Sequence, residues 1–300
     1  MCFRGGIMNQ EWYHSERLKR QCIALAELLL SQYPGATLCP IGQSMAWPVV
    51  TASLLTKVST IYVPFSDRFY AQTNRLNLAR IKSVGRITQY ELNHVDDNRP
   101  HYELNYRKFL HTLQMDPLTI IKRHQLGRKT ILLDYAQGGG SIVSFLSVLF
   151  EYARAMDCIE ELKKAVEVVL ITEKGNKFKT LSIEKTLTLE CKSIQLDLDL
   201  IQALANSKED SGKTSDRVVP LYPHYFWGKK PLPLTNQDNQ AYITKQLETA
   251  ILQCKNKPAG VQLIHSMSGS LLFHNRSLLK YSNLSAENQP TNFNGQSQTR

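Results

Sequence analysis

Residues 129–156, KTILLDYAQGGGSIVSFLSVLFEYARAM, decide the fold that we expect for this chain. Residues 130–133 are β-branched or aliphatic without polar alternation, which indicates a strand buried on both faces of a parallel sheet. Asp134 ends this run, a glycine-rich turn follows at residues 138–141, and the next apolar residues are spaced for a helix packed on the sheet. Backbone N–H groups and the positive end of a helix dipole meet at such a turn, so the stretch predicts an anion site. The alternative interpretation is a tight strand-to-helix connection without a ligand.

A second strand-turn-helix unit precedes this one. Residues 36–41 are predicted to form a strand, residues 42–46 a turn and residues 47–55 a helix, with Pro48 in the first helical turn, where proline is tolerated. A further strand over residues 60–63 completes a βαβ unit. The sequence therefore favours an α/β protein with a mainly parallel central sheet flanked by helices.

The remaining segments are assigned by the same patterns. We expect an N-terminal helix within residues 1–35 capped by Ser15, an α/β domain over 36–282, a partly mobile helical insertion over the edge of the sheet at about 64–128, and a disordered tail at 283–300. Within the insertion, helices are predicted over 103–114 and from Asp116 to Gly127. Further predictions are strands at 166–172, 218–221 and 260–264 and helices at 198–206 and 241–252, while residues 178–189 fit both states.

Composition narrows the classes of partner. The 300 residues are 42% hydrophobic and carry a formal net charge of +10, which favours an anionic partner. The basic residues are spread along the chain, so a phosphorylated small molecule is favoured over nucleic acid; a second copy of the chain is a further candidate partner. The six cysteines form no C-x-x-C pair and are expected to be buried, reduced thiols. No apolar run has the length of a signal peptide core or a membrane span, so we expect a soluble, cytoplasmic protein, with secretion by another route left open.

The two strand-turn-helix units together resemble the core of the type I phosphoribosyltransferases over about residues 36–172. In that family a strand runs into an acidic pair and a glycine-rich turn that holds the 5′-phosphate of phosphoribosyl pyrophosphate, and an earlier turn touches the pyrophosphate. The resemblance implies a transferase of the glycosyltransferase class, with Mg²⁺ accompanying phosphoribosyl pyrophosphate.

The resemblance also implies roles for individual residues. Asp134 corresponds to the second acid of the family's pair, which binds the ribose hydroxyls, and Leu133 stands in place of the first. Losing one carboxylate weakens ribose and metal-assisted binding, so both a diverged enzyme and a fold retained for binding stay open. The expected phosphate-binding residues are Gly138, Gly139, Gly140 and Ser141, and the expected pyrophosphate-binding residues are Gly42, Gln43 and Ser44. The basic residues that could close over the pyrophosphate are Arg68, Arg75, Lys82 and Arg86.

A competing interpretation is a serine hydrolase. Residues 42–46 nearly match the Gly-x-Ser-x-Gly nucleophile elbow, with Ala46 in the last place. Ser44 would be the nucleophile, and Asp134 followed by His224 or His265 could complete a triad. Against this, a hydrolase of that fold needs several strands before its elbow. A third hypothesis is a binding or regulatory module without chemistry.

Two other features of the sequence bear on possible binding sites. The aromatic and basic residues 220–234 could stack a nucleobase or grip a partner chain, but a surface segment pinned by its rings is the favoured explanation. The histidines show no H-x-x-x-H spacing, so we expect no metal site built by the protein alone.

Overall fold

The computed structural model describes residues 12–65, 99–135, 140–173, 189, 191–205, 217–220, 222 and 237–256. Within these residues one five-stranded sheet has the order β2-β1-β3-β4-β5, and every neighbouring pair is parallel. The strands are β1 Thr37–Pro40, β2 Ser59–Thr60, β3 Thr130–Tyr135, β4 Val166–Glu173 and β5 Cys191–Leu196. The predicted α/β class with a parallel central sheet is confirmed.

Helices cover both faces of the sheet. They are α1 Glu16–Gln32, α2 Ala46–Leu55, α3 Arg99–Thr112, α4 Pro117–Gln125, α5 Gly140–Ala155, α6 Ile159–Ala165, α7 Leu198–Ala205 and α8 Gln237–Lys255. One hydrophobic cluster joins α1, α2, α7 and α8 to one face, and a second joins α3 to α6 to the other. The predicted N-terminal helix α1 is therefore part of the core of the α/β unit.

The central strand β3 separates the two clusters. Ile131, Leu132 and Leu133 are fully buried. Leu132 belongs to the cluster of α3 to α6, whereas Ile131 and Leu133 belong to the cluster of α1, α2, α7 and α8. This alternation follows from the two-residue period of a strand, and burial on both faces explains why the strand reads as an uninterrupted apolar run.

Two predicted helix starts are confirmed by their caps. The Ser15 hydroxyl accepts a hydrogen bond from the amide of Leu18 at 3.4 Å, at the start of α1. The Asp116 carboxylate accepts one from the amide of Thr119 at 3.1 Å, and Pro117 takes the first helical position of α4. Each cap satisfies an amide that has no partner inside its helix.

The helical insertion lies elsewhere than predicted in the part that the structure describes. Residues 66–98, which include the four basic residues expected to close over a pyrophosphate, lie outside the described part of the chain. The described part, α3 and α4, packs on a face of the sheet and not over its edge. Tyr106, Leu110, Met115 and Ile120 are fully buried in the core. These apolar side chains cover the strands, and that burial holds α3 and α4 in the layer.

Two strand predictions also need correction. The strand predicted at 218–221 is absent from residues 217–220, the part of it that the structure describes. The amides of Val218 and Val219 donate to the side chain of Gln43 and not to a neighbouring strand. β5 was not predicted at all. Most of 178–189 and all of 260–264 and 283–300 lie outside the described residues.

The prediction of buried cysteine thiols is confirmed in part within the described ranges. Cys22, Cys39, Cys158 and Cys191 are buried free thiols, and Cys254 is a partly exposed one. None of the helices described above combines the length and the hydropathy that a membrane crossing requires.

Candidate active site

The sheet has a topological switch point between β1 and β3. The chain leaves β1 into α2 in one helical layer and leaves β3 into α5 in the other. In open parallel sheets a crevice forms at the carboxyl ends of two such strands, and ligands bind there. The two turns singled out in the sequence both follow these strands.

A hydrogen bond joins the turn after β1 to the end of β3. The Ser44 hydroxyl donates to Asp134 Oδ1 at 2.8 Å and accepts from the amide of Tyr135 at 3.3 Å. Asp134 is only 4% exposed, although it lies near the carboxyl end of its strand. The serine therefore fixes one oxygen of a buried carboxyl group at the switch point.

The environment of Asp134 changes its protonation. Burial raises the pKa of the carboxyl group from 3.8 to about 7, while the Ser44 hydroxyl and the amides of Tyr135 and Ile142 lower it in part. Burial outweighs these donors because a buried carboxylate loses its hydration. Ile142 lies in the first turn of α5, so the acid sits beside the positive end of that helix. Both protonation states are accessible near neutral pH.

The second oxygen of Asp134 differs from the first in its hydrogen bonding. Oδ2 is buried and has no hydrogen-bond partner with good geometry among the described residues. A buried carboxyl oxygen without a partner costs free energy, and functional sites are places where such groups occur. This oxygen can accept a hydrogen bond from a hydroxyl group when the acid is ionised.

Leu133, where the resemblance led us to expect a first acid, lies on the other face of the sheet from Asp134. Leu133 is fully buried and packs in the cluster of α1, α2, α7 and α8. Leu132 packs in the cluster of α3 to α6 on the other face of the sheet. Asp134 shares the face of Leu132 because side chains alternate along a strand. Leu133 is thus a core residue of the sheet, and Asp134 is the acid that β3 brings to the switch point.

Gly42 shapes the turn after β1. Its φ is +67°, and an added Cβ atom would lie 2.8 Å from the carbonyl oxygen of Phe65. Its amide donates to the carbonyl of Val63 at 2.9 Å. Glycine is required here both by conformation and by space. The Gly42 amide is engaged within the protein, and the expected contact of this turn with a pyrophosphate stays a prediction.

Gln43 has a structural partner that the sequence did not indicate. Its Oε1 accepts hydrogen bonds from the amides of Val218 and Val219 at 2.8 and 3.1 Å. The side chain thereby ties the turn after β1 to a segment 175 residues further along the chain. No motif at residues 217–220 pointed to this contact, which joins a side chain to backbone groups.

The glycine-rich turn is described only at its end. Residues 136–139, including Gly138 and Gly139, lie outside the described part. Gly140 begins α5, and Ser141 is partly buried in its first turn. Their expected contacts with a phosphate stay predictions.

The arrangement of Ser44 disagrees with the hydrolase hypothesis. In a catalytic triad the serine donates to a histidine and the acid orients that histidine. Here Ser44 donates directly to Asp134, so the acid does not occupy the third place of such a triad. His224 and His265 lie outside the described residues.

The part of the chain that the structure describes contains no group of three or more His, Cys, Asp or Glu side chains arranged to hold a metal ion. Of the segment 220–234, only Pro220 and Tyr222 are described, and Tyr222 is buried with its ring 4.7 Å from that of Phe109.

Comparisons with protein-family models, with curated proteins and with solved structures gave no match to this chain.

Proposed function

We propose that this chain is a phosphoribosyltransferase-like protein that binds a phosphoribosyl compound at the carboxyl ends of β1 and β3. The observation that carries the proposal is the carboxyl group of Asp134, with Oδ1 held by Ser44 and Oδ2 buried without a partner among the described residues. A fixed acid with one oxygen that lacks a partner among the described residues suits the hydroxyl groups of a sugar, which donate hydrogen bonds to a carboxylate.

The charge distribution around the acid supports a phosphorylated sugar. α5 begins at Gly140, and α2 begins at Ala46 without a side-chain cap from Met45. Both helices begin after strands that meet at the switch point, and helix N-termini favour anions. In the proposal Gly138, Gly139, Gly140 and Ser141 hold the 5′-phosphate, and the turn of Gly42 to Ser44 faces the pyrophosphate.

Mg²⁺ enters the proposal as a companion of the ligand. Magnesium usually keeps several waters and binds through substrate phosphates with few protein carboxylates. Its chemistry would be to draw charge from the leaving pyrophosphate.

A binding module without chemistry is the second candidate, and Leu133 favours it. The family pairs two acids at this point, whereas here the first place is taken by a fully buried core residue. One carboxylate offers less stabilisation to a positively charged ribosyl centre than two.

Calorimetric titration with phosphoribosyl pyrophosphate and Mg²⁺ at pH 8, where Asp134 is mostly ionised, tests the proposal. We expect Asp134→Asn to weaken binding about 10- to 100-fold, since a hydrogen bond to a charged group contributes roughly 1.5–3 kcal/mol. Glu167→Gln makes the same chemical change near the start of the neighbouring strand β4 and should leave the affinity unchanged.

The ligand series separates the remaining hypotheses. Ribose 5-phosphate should bind more tightly than inorganic phosphate, because only the sugar has hydroxyl groups for Asp134. Absence of heat with every ligand, together with fluorophosphonate labelling of Ser44, would reverse the ranking in favour of a hydrolase. Binding without pyrophosphate release, when purine, pyrimidine or amine acceptors are added, would establish the binding module.

A further inference from the structure

The segment from Arg217 to Tyr222 passes from one helical layer to the other. Val218 packs against the core cluster of α1, α2, α7 and α8. Tyr222 is 2% exposed and belongs to the opposite cluster, where its ring contacts Tyr106 and Phe109. Residue 221 lies outside the described part. Because its two ends are anchored in different layers, the segment spans the thickness of the sheet.

Side chains hold this segment at a defined place. Gln43 Oε1 accepts from the amides of Val218 and Val219 at 2.8 and 3.1 Å. From α8, the Gln240 side-chain amide donates to the carbonyl of Arg217. A carboxamide oxygen has two lone pairs, so two backbone donors use the full capacity of Oε1 and fix the orientation of the group.

The place where the segment is held is the switch point. Gln43 directly precedes Ser44, and the Ser44 hydroxyl lies 2.8 Å from Asp134 Oδ1. One continuous chain of contacts therefore runs from Val218 through the turn after β1 to the acid of β3. The segment crosses the sheet beside the group that is proposed to bind the ligand.

We propose that residues 217–220 and Tyr222 form a wall of the ligand site and that Gln43 is a positioning residue for this wall. The inference rests on the proposed function, and it changes the role expected for Gln43 from ligand contact to support. Without the side-chain oxygen, the amides of Val218 and Val219 lose their acceptor, and the wall is released on the side of β1.

Hydrogen exchange measured by mass spectrometry tests the support without any ligand. Gln43→Leu keeps the approximate size of the side chain but removes the acceptor, whereas Gln43→Glu keeps an acceptor for both amides. We expect exchange of a peptide covering 217–222 to become about tenfold faster in Gln43→Leu, which corresponds to about 1.4 kcal/mol, because both amides lose their acceptor. Exchange in Gln43→Glu should stay near the wild-type rate. Equal rates in all three proteins would overturn the positioning role.

A second measurement on the wild-type chain tests the wall and needs no variant. Phosphoribosyl pyrophosphate with Mg²⁺ at pH 8 should slow exchange of the same peptide several-fold. If calorimetry shows binding while exchange at 217–222 stays unchanged, the segment is no wall of the site. If calorimetry shows no binding, the proposed function fails and the wall fails with it, while the ligand-free comparison still decides what Gln43 does.

Discussion

Replacing Asp134 with asparagine should change how the stability of the protein depends on pH. Asparagine keeps an oxygen that can accept from Ser44 Oγ, but it cannot ionise. In the wild type the buried carboxyl group has its pKa raised from 3.8 to about 7, because burial penalises the charged form more than the nearby donors favour it.

The magnitude follows from proton linkage. Between pH 3.8 and about 7 the folded protein keeps a proton on Asp134 that the unfolded chain releases, so the free energy of unfolding falls as the pH rises through this window. The full difference corresponds to about 4 kcal/mol at 1.36 kcal/mol per pKa unit. About 2–3 kcal/mol of it should be lost between pH 5 and pH 8.

Urea unfolding followed by circular dichroism at pH 5, 6, 7 and 8 measures this contribution. Subtracting the wild-type curve from that of Asp134→Asn cancels the other titrating groups. The asparagine amide adds a cost for an unpaired donor, but that cost does not vary with pH. The expected result is therefore a variant that gains about 2–3 kcal/mol relative to the wild type from pH 5 to pH 8.

A flat difference curve would refute the reasoning. It would mean that Asp134 is as well solvated in the folded protein as in the unfolded chain, which its 4% exposure opposes. A curve of opposite sign would mean that the donors around the carboxylate outweigh its burial. In either event the acid would not be the desolvated group on which the proposed sugar contact depends.

Three further substitutions test other parts of the structure. Ser44→Ala removes the hydroxyl that lowers the pKa of Asp134, so we expect a loss of about 1–3 kcal/mol at pH 8 and a smaller loss at pH 5 in the same urea series. Gly42→Ala should lower the free energy of unfolding by more than about 2 kcal/mol. Gly127→Ala is the control, because Gly127 has φ +77° but open space around it, and should cost only about 1–2 kcal/mol. Similar losses for the two variants in thermal unfolding would contradict the predicted clash. Glu167→Gln removes a carboxylate whose pKa burial raises but Lys129 and Lys192 lower more strongly, to a net value below 4.5. We therefore expect a loss of about 1 kcal/mol at pH 7 that disappears as the pH falls through this lowered pKa. A pH-independent loss would rule out the ion pairs as its cause.

The sequence by itself determined the class of fold and pointed to Ser44 and Asp134 as residues of one site. Residues 131–133 and 168–171 are apolar without interruption, because strands buried on both faces of a parallel sheet expose neither side to water. Strong capping residues also marked the starts of α1 and α4. Since the carboxyl ends of parallel strands share one edge, the closeness of Ser44, after β1, to Asp134, near the end of β3, could be anticipated.

Local patterns did not predict β5, because its sequence, CKSIQL, mixes polar and apolar residues. Among the described strands it pairs only with β4, along one of its edges. Only the tertiary structure decided which groups of the site touch each other. The bond between Ser44 and Asp134 joins residues 90 positions apart, and the bonds from Val218 and Val219 to Gln43 span 175 and 176 positions. Such contacts depend on where the strands and segments lie in space, and burial, which raises the pKa of Asp134, exists only once the helices have closed over the sheet.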